Sequence, residues 1–149
     1  MRSPLLRSVL PALLMAAGPV LAGQASLPGP IPADVLDVLD GDTIAVRAII
    51  WLGQAVETHV RLEGIDAPEL RAHCAQEKEK AEAARALARR LLADGHARLL
   101  DVQADKYGGR VRARVMTSTG ADLSQSLLDA GLAHPYRGEK RQPWCALEG

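Results

Sequence analysis

The chain has 149 residues, with 18 Lys+Arg against 18 Asp+Glu and only two cysteines. That length favours one domain of ordinary size, because two independent cores would each be too small. The charge balance excludes a protein that grips nucleic acid over a broad basic surface, since such binding draws its affinity from many Lys and Arg contacts to phosphate. A small local cationic site stays compatible with it.

The first 22 residues read as a secretory signal. Arg2 and Arg7 form a basic start, and an apolar run from Val9 to Ala22 ends in Val20-Leu21-Ala22, so cleavage is expected after Ala22. At about 1.5 Å per residue the run reaches roughly 21 Å, short of the ~30 Å hydrocarbon core, which argues against a permanent membrane span. The expected destination is the periplasm or the outside of the cell. Removing the leader takes away two bases and leaves 127 residues with net charge −2. In that compartment Cys74 and Cys145 are expected to pair, tying the C-terminal tail (138–149) to the body.

Residues 23–33 carry three prolines and two glycines without a periodic apolar face. They read as a flexible leader, with order starting near Asp34. Val35–Leu39 is a short strand, Asp40-Gly41-Asp42-Thr43 supplies turn chemistry, and Ile44–Trp51 completes a hairpin. Trp51 reads as a strand-end aromatic belonging to the core. After the Leu52-Gly53-Gln54 turn, His59–Gly64 alternates, with Val60 and Leu62 on one face and His59, Arg61 and Glu63 on the other.

Ala81, Ala84, Ala88, Leu91 and Leu92 recur at helical spacing and predict a long helix over 75–93, closed by Asp94-Gly95. A strand over 97–103 and a glycine-bearing turn over 105–109 follow. The strand over 110–117 sets Val111, Ala113 and Val115 against Arg110, Arg112 and Arg114. Asp122 caps a short helix that ends before Gly131, and the tail after Tyr136 is polar and brief. Strands in hairpins with one intervening helix predict a mainly β, α+β fold: a five-stranded OB-type barrel over 34–137 with packed helices.

Asp42 and Asp66 lie 24 residues apart on turns that adjacent strands bring to one rim. Two carboxylates with a backbone carbonyl suit a hard cation such as Ca²⁺, and the absence of neighbouring Cys or His argues against zinc. Arg61 leaves the core toward the same end; its plainer fate is a surface pair with Glu57 or Glu63. Glu69 is turned into the loop by Pro68, and Arg110 follows glycines that permit close approach of a ligand. Two Asp, one Glu and two Arg on strand-end turns have one economical joint use, hydrolysis of a phosphodiester.

The segments Asp40-Gly41-Asp42-Thr43, Arg61-Leu62-Glu63-Gly64-Ile65-Asp66-Ala67-Pro68-Glu69 and Asp105-Lys106-Tyr107-Gly108-Gly109-Arg110 resemble, in order, the three signature segments of the thermonuclease (staphylococcal nuclease-like) family. The likeness runs over roughly residues 34–137. It implies a secreted, Ca²⁺-dependent endonuclease that cuts DNA and RNA and leaves 3′-phosphates. A monomer without a stable protein partner is expected, since nothing in the sequence suggests a larger assembly. The likeness implies Asp42, Asp66 and the Ala67 carbonyl as metal ligands, Arg61 and Arg110 on the phosphate, and Glu69 on the attacking water, as base or as orienting group. Lys106, Tyr107 and Tyr136 would contact substrate, Tyr136 by stacking on a base.

Ala67 stands where the family often has Thr. The doubled glycine displaces the arginine by one place, so Arg112, on the same face, is the alternative to Arg110. The chain stops about where the family's last helix would pack, and the Cys74–Cys145 bridge is expected to replace that helix as a clamp. Two rival functions use fewer of these residues: a non-catalytic OB-fold module binding single strands, and a calcium-binding structural domain.

Overall fold

A computed structural model describes residues 25–145; the signal-peptide reading of residues 1–22 lies outside the described residues. The elements in chain order are β1 (Ser26–Leu27), β2 (Ile31–Val38), β3 (Thr43–Trp51), β4 (Gln54–Leu62), β5 (Ile65–Asp66), α1 (Ala75–Leu91), β6 (His96–Ala104), β7 (Arg110–Thr117), α2 (Leu123–Asp129) and β8 (His134–Pro135). β6, β2, β3, β4 and β7 pair in that order, and β7 pairs back onto β6, so the sheet closes into a five-stranded barrel. All barrel pairings are antiparallel except β4 with β7, which the intervening α1 and β6 make parallel. The expected OB-type architecture is what the chain adopts.

Alternation fills the barrel. Ile44, Val46, Val60, Leu62, Leu99, Ala113 and Val115 point inward and are at most 1% exposed, and Leu123 and Leu127 of α2 close one end. α2 begins as expected, with the Asp122 side chain accepting from the Gln125 amide at 3.2 Å. Gly131, at φ 66°, ends it. α1 buries only Ala81, Ala84 and Ala88. That small-residue stripe lets the helix approach the Asp40–Thr43 turn closely. A Cβ on Gly41 would lie 2.7 Å from that of Ala84 and 2.9 Å from that of Ala67. Neither methyl can rotate away, so Gly41→Ala is expected to cost about 1–3 kcal/mol in a denaturant titration.

Three expectations require correction. The leader assigned to 23–33 is strand from Ser26: β1 pairs with β6 at Gln103 and Val102, and β2 starts at Ile31. Prolines are tolerated there because Ile31 and Pro32 pair on one side only, with Leu99 and Arg98. The third strand begins at Gln54, well before His59, and Asp66 belongs to a separate strand, β5, after a turn at Gly64 with φ 81°. Trp51 is not core; it is 74% exposed at the tip of the β3–β4 hairpin beside Leu52. β2 covers β3 only as far as Ala48 and β7 reaches β4 only from His59, so the hairpin's far half has no third strand against it.

The tail is more than a polar end. β8 pairs with β5, and the Tyr136 amide donates to the Gly64 carbonyl at 2.9 Å. Trp144, 7% exposed, stacks on His134 with ring centroids 3.7 Å apart, and Cys145 is bonded to Cys74, the N-cap of α1. Among the described residues no helix is long and apolar enough to cross a membrane.

Candidate active site

The Asp40–Thr43 turn and the segment after β5 meet at one rim of the barrel. Asp42 is held on every side. Its amide donates to Asp40 Oδ1 at 3.0 Å, its Oδ1 accepts from the Thr43 hydroxyl at 3.1 Å, and its Oδ2 accepts from the Ala67 amide at 2.9 Å. Asp42 and Asp66 are 6% and 5% exposed, and one guanidinium bridges them. Arg61 Nη1 lies 2.6 Å from Asp42 Oδ1, while Nη2 lies 3.4 Å from Asp66 Oδ1 and donates to the Ile65 carbonyl at 3.2 Å. The surface alternative for Arg61 is therefore wrong: Glu57 pairs with Arg47, and Glu63 with Arg112.

Electrostatics follow burial. For Arg61, burial works against the charge, but Asp42 first, with Asp66 and Asp40 behind it, outweighs that and holds the guanidinium above its ordinary pKa. Asp40 is pushed above the usual carboxylate value by burial and then by Asp42. Glu69 projects into solvent, its backbone anchored where its amide donates to Glu77 Oε1 at 3.0 Å.

Beside this rim runs a cleft of about 930 Å³. Its lining carries six cations, Arg61, Lys106, Arg110, Arg112, Arg137 and Arg141, against four carboxylates, Glu63, Asp66, Glu69 and Asp105. A chain of near-zero net charge thus concentrates positive charge at one mouth, which favours an anionic ligand. Tyr107 and Tyr136 also line it. Arg110 pairs with Asp105 and lies 4.9 Å from the Tyr107 ring centre, within cation–π reach. Arg112 is held by Glu63 at 3.4 Å and Gln103 at 3.2 Å. The structure brings Arg61, Asp66, Glu69, Lys106, Tyr107, Arg110 and Tyr136 to one cleft, with Asp42 and Ala67 buried behind Asp66 and Arg61.

A family model described as staphylococcal nuclease homologue matches residues 59–145, more than half of the chain. The chain belongs to the staphylococcal nuclease family. No curated protein aligns significantly with it. The family is one of nucleases on this barrel, and the matched span takes in the cleft's cations and the tail that borders it.

In this family member the oxygens of Asp42, Asp66 and the Ala67 carbonyl are the hard donors that a divalent cation such as Ca²⁺ prefers, so the residues fit such an ion. Among the described residues, the one close grouping of three His, Cys, Asp or Glu side chains is Cys74, Glu77 and Cys145, and it has both sulfurs in a disulfide and no thiolate to offer.

Sequence reasoning missed Arg141. Its Nε donates to Asp66 Oδ1 and Oδ2 at 2.9 and 2.8 Å, its Nη2 to the Ala67 carbonyl at 3.1 Å, and its Nη1 pairs with Glu69. For Arg141, too, burial opposes the charge and is outweighed by Asp66, then by Glu69 and Glu77, so its pKa lies above the ordinary value. The available signal was its position four residues before Cys145. Once paired with Cys74, that cysteine brings the tail to the loop that carries Glu69.

Proposed function

We propose that this chain is an exported, Ca²⁺-dependent endonuclease that hydrolyses phosphodiester bonds of DNA and RNA. The observation that carries the reading is the single guanidinium bridge from Arg61 to both Asp42 and Asp66, at the edge of a cationic cleft that also holds Glu69 and Arg110. Asp42, Asp66 and the Ala67 carbonyl would hold the ion, which when bound supplies positive charge to neutralise the phosphate.

The protein's own residues do the rest. Arg61 lines the cleft and is fixed there by two carboxylates, so its guanidinium need not be ordered when a phosphate arrives. Arg110 lines the same cleft with its charge balanced by Asp105 and its guanidinium 4.9 Å from the Tyr107 ring centre, and it would take a second equatorial oxygen. Glu69 is exposed at the rim, where a carboxylate can orient a water or accept its proton. The water oxygen bonds to phosphorus and the P–O5′ bond breaks. The proton passes to the departing oxygen, leaving a 3′-phosphate and a 5′-hydroxyl. Lys106 and Tyr107 would meet the terminal phosphate, and Tyr136 offers a face to a base.

A binding module without chemistry needs neither Glu69 nor the bridged carboxylates, and the exposed aromatics at this cleft are few. Purified protein incubated with DNA and with RNA, first with calcium and then with a chelator, is expected to cleave both and to stop on chelation. Binding without cleavage at any calcium concentration would establish the module reading instead.

A further inference from the structure

The tail from Tyr136 to Cys145 lays Arg141 across the oxygens expected to hold the ion. We propose that the Arg141 guanidinium and a divalent cation are alternative occupants of the same oxygens, those of Asp66 and the Ala67 carbonyl, with Glu69 engaged by the same fork, so that the ion binds only when this side chain swings out. The inference rests on the calcium reading above and adds a built-in competitor to it.

The contacts are those of an occupant rather than of a neighbour. Nε engages both Asp66 oxygens, Nη2 takes the Ala67 carbonyl, and Nη1 takes Glu69, so one planar fork uses up three separate oxygen donors. While it is there, one oxygen of Glu69 is paired with a cation, which lowers its basicity toward a water. Charge makes exchange feasible. Asp40, Asp42, Asp66, Glu69 and Glu77 outnumber Arg61 and Arg141, so the carboxylates can take the one extra positive charge when a divalent ion replaces Arg141. Keeping both would set two cations against the same lone pairs of Asp66 and the Ala67 carbonyl.

The competitor is tethered yet removable. Cys145 is bonded to Cys74 and Trp144 is stacked on His134, so the backbone near residue 141 stays at the rim whether or not the side chain is docked. The Arg141 side chain is 39% exposed, so rotation about its own bonds takes it to solvent without dismantling the tail. A tethered group competes at high effective concentration, which weakens the apparent affinity of the ion.

The test is calorimetric titration of calcium chloride into the wild-type protein, Arg141→Gln and Arg141→Lys, each purged of metal. Arg141→Gln is expected to bind calcium about tenfold more tightly, a gain of about 1.4 kcal/mol. Arg141→Lys, which keeps a charge but loses the fork, should fall between the two. Calcium should also raise the thermal midpoint of Arg141→Gln by more than that of the wild type. Equal affinity in the wild type and a folded variant, or weaker binding in the variants, overturns the competition while leaving the calcium reading intact. Binding of calcium by none of the three overturns the calcium reading and this inference with it. If Arg141→Gln fails to fold, the affinity of Arg141→Lys against the wild type decides.

Discussion

Arg61→Ala is expected to lose both chemistry and stability, and the joint loss separates it from every other cleft arginine. Turnover on DNA should fall about 10²- to 10³-fold, the usual cost of removing one preorganised transition-state partner. In chelator, the fold should also lose about 3 kcal/mol, because two carboxylates only 6% and 5% exposed would share a rim without their bridging cation. The loss belongs at the lower end for buried pairs, since Asp42 keeps the Ala67 amide and Asp66 keeps Arg141.

Arg110→Ala should match the kinetic loss with a smaller loss of stability. Its partner Asp105 has a side chain only 4% exposed, but it is a single carboxylate and keeps the Lys106 amide at 2.7 Å, whereas Arg61→Ala strands two. Steady-state kinetics together with urea titrations of the Arg61, Arg110 and Arg112 alanine variants measure both quantities. Near-wild-type turnover in Arg61→Ala would remove the phosphate role from the bridge. Loss in Arg112→Ala with retention in Arg110→Ala would move the second arginine two residues along β7.

The barrel was legible because alternation and punctuation agree along most of the chain. The strand over 110–117, the Asp122 cap and the glycine at 131 are read correctly from local chemistry alone, since each depends on neighbours within a few residues. Residues 26–34 misled for the opposite reason. Their prolines and glycines signal irregular chain, and only the open side of β2 at Ile31 and Pro32 makes them acceptable in a strand, which no local pattern reveals. Trp51 failed likewise: a β-branched run ending in an aromatic reads as core, but whether a hairpin tip is covered depends on how far its neighbours reach.

The site follows the same division. Asp42, Asp66 and Arg61 converge because one turn and two strand ends share a rim, a consequence of barrel topology that the motif order already encoded. Arg141 has no motif around it. Its placement depends on a covalent link closing 71 residues and on Trp144 finding His134, both long-range events.

That link carries the second large expected effect. Reducing the Cys74–Cys145 bond, or replacing both cysteines by serine, should destabilise the protein by about 4 kcal/mol in the chain-entropy account of a 71-residue loop. For a domain of this size that corresponds to a fall of roughly 10–20 °C in thermal midpoint. The argument turns on what else holds the tail. Without the bond it retains a two-residue pairing between β5 and β8, the Trp144–His134 stack, Lys80 lying 5.2 Å from the Trp144 ring, and the Arg141 contacts to Asp66, Ala67 and Glu69. These contacts can keep the tail docked in the folded state, but they place no restraint on the unfolded chain. The bridge acts on that unfolded ensemble. Calorimetric scans with and without reductant check this directly. An unchanged midpoint would mean that the other tail contacts suffice, and the bridge would then have no standing as the clamp of the tail.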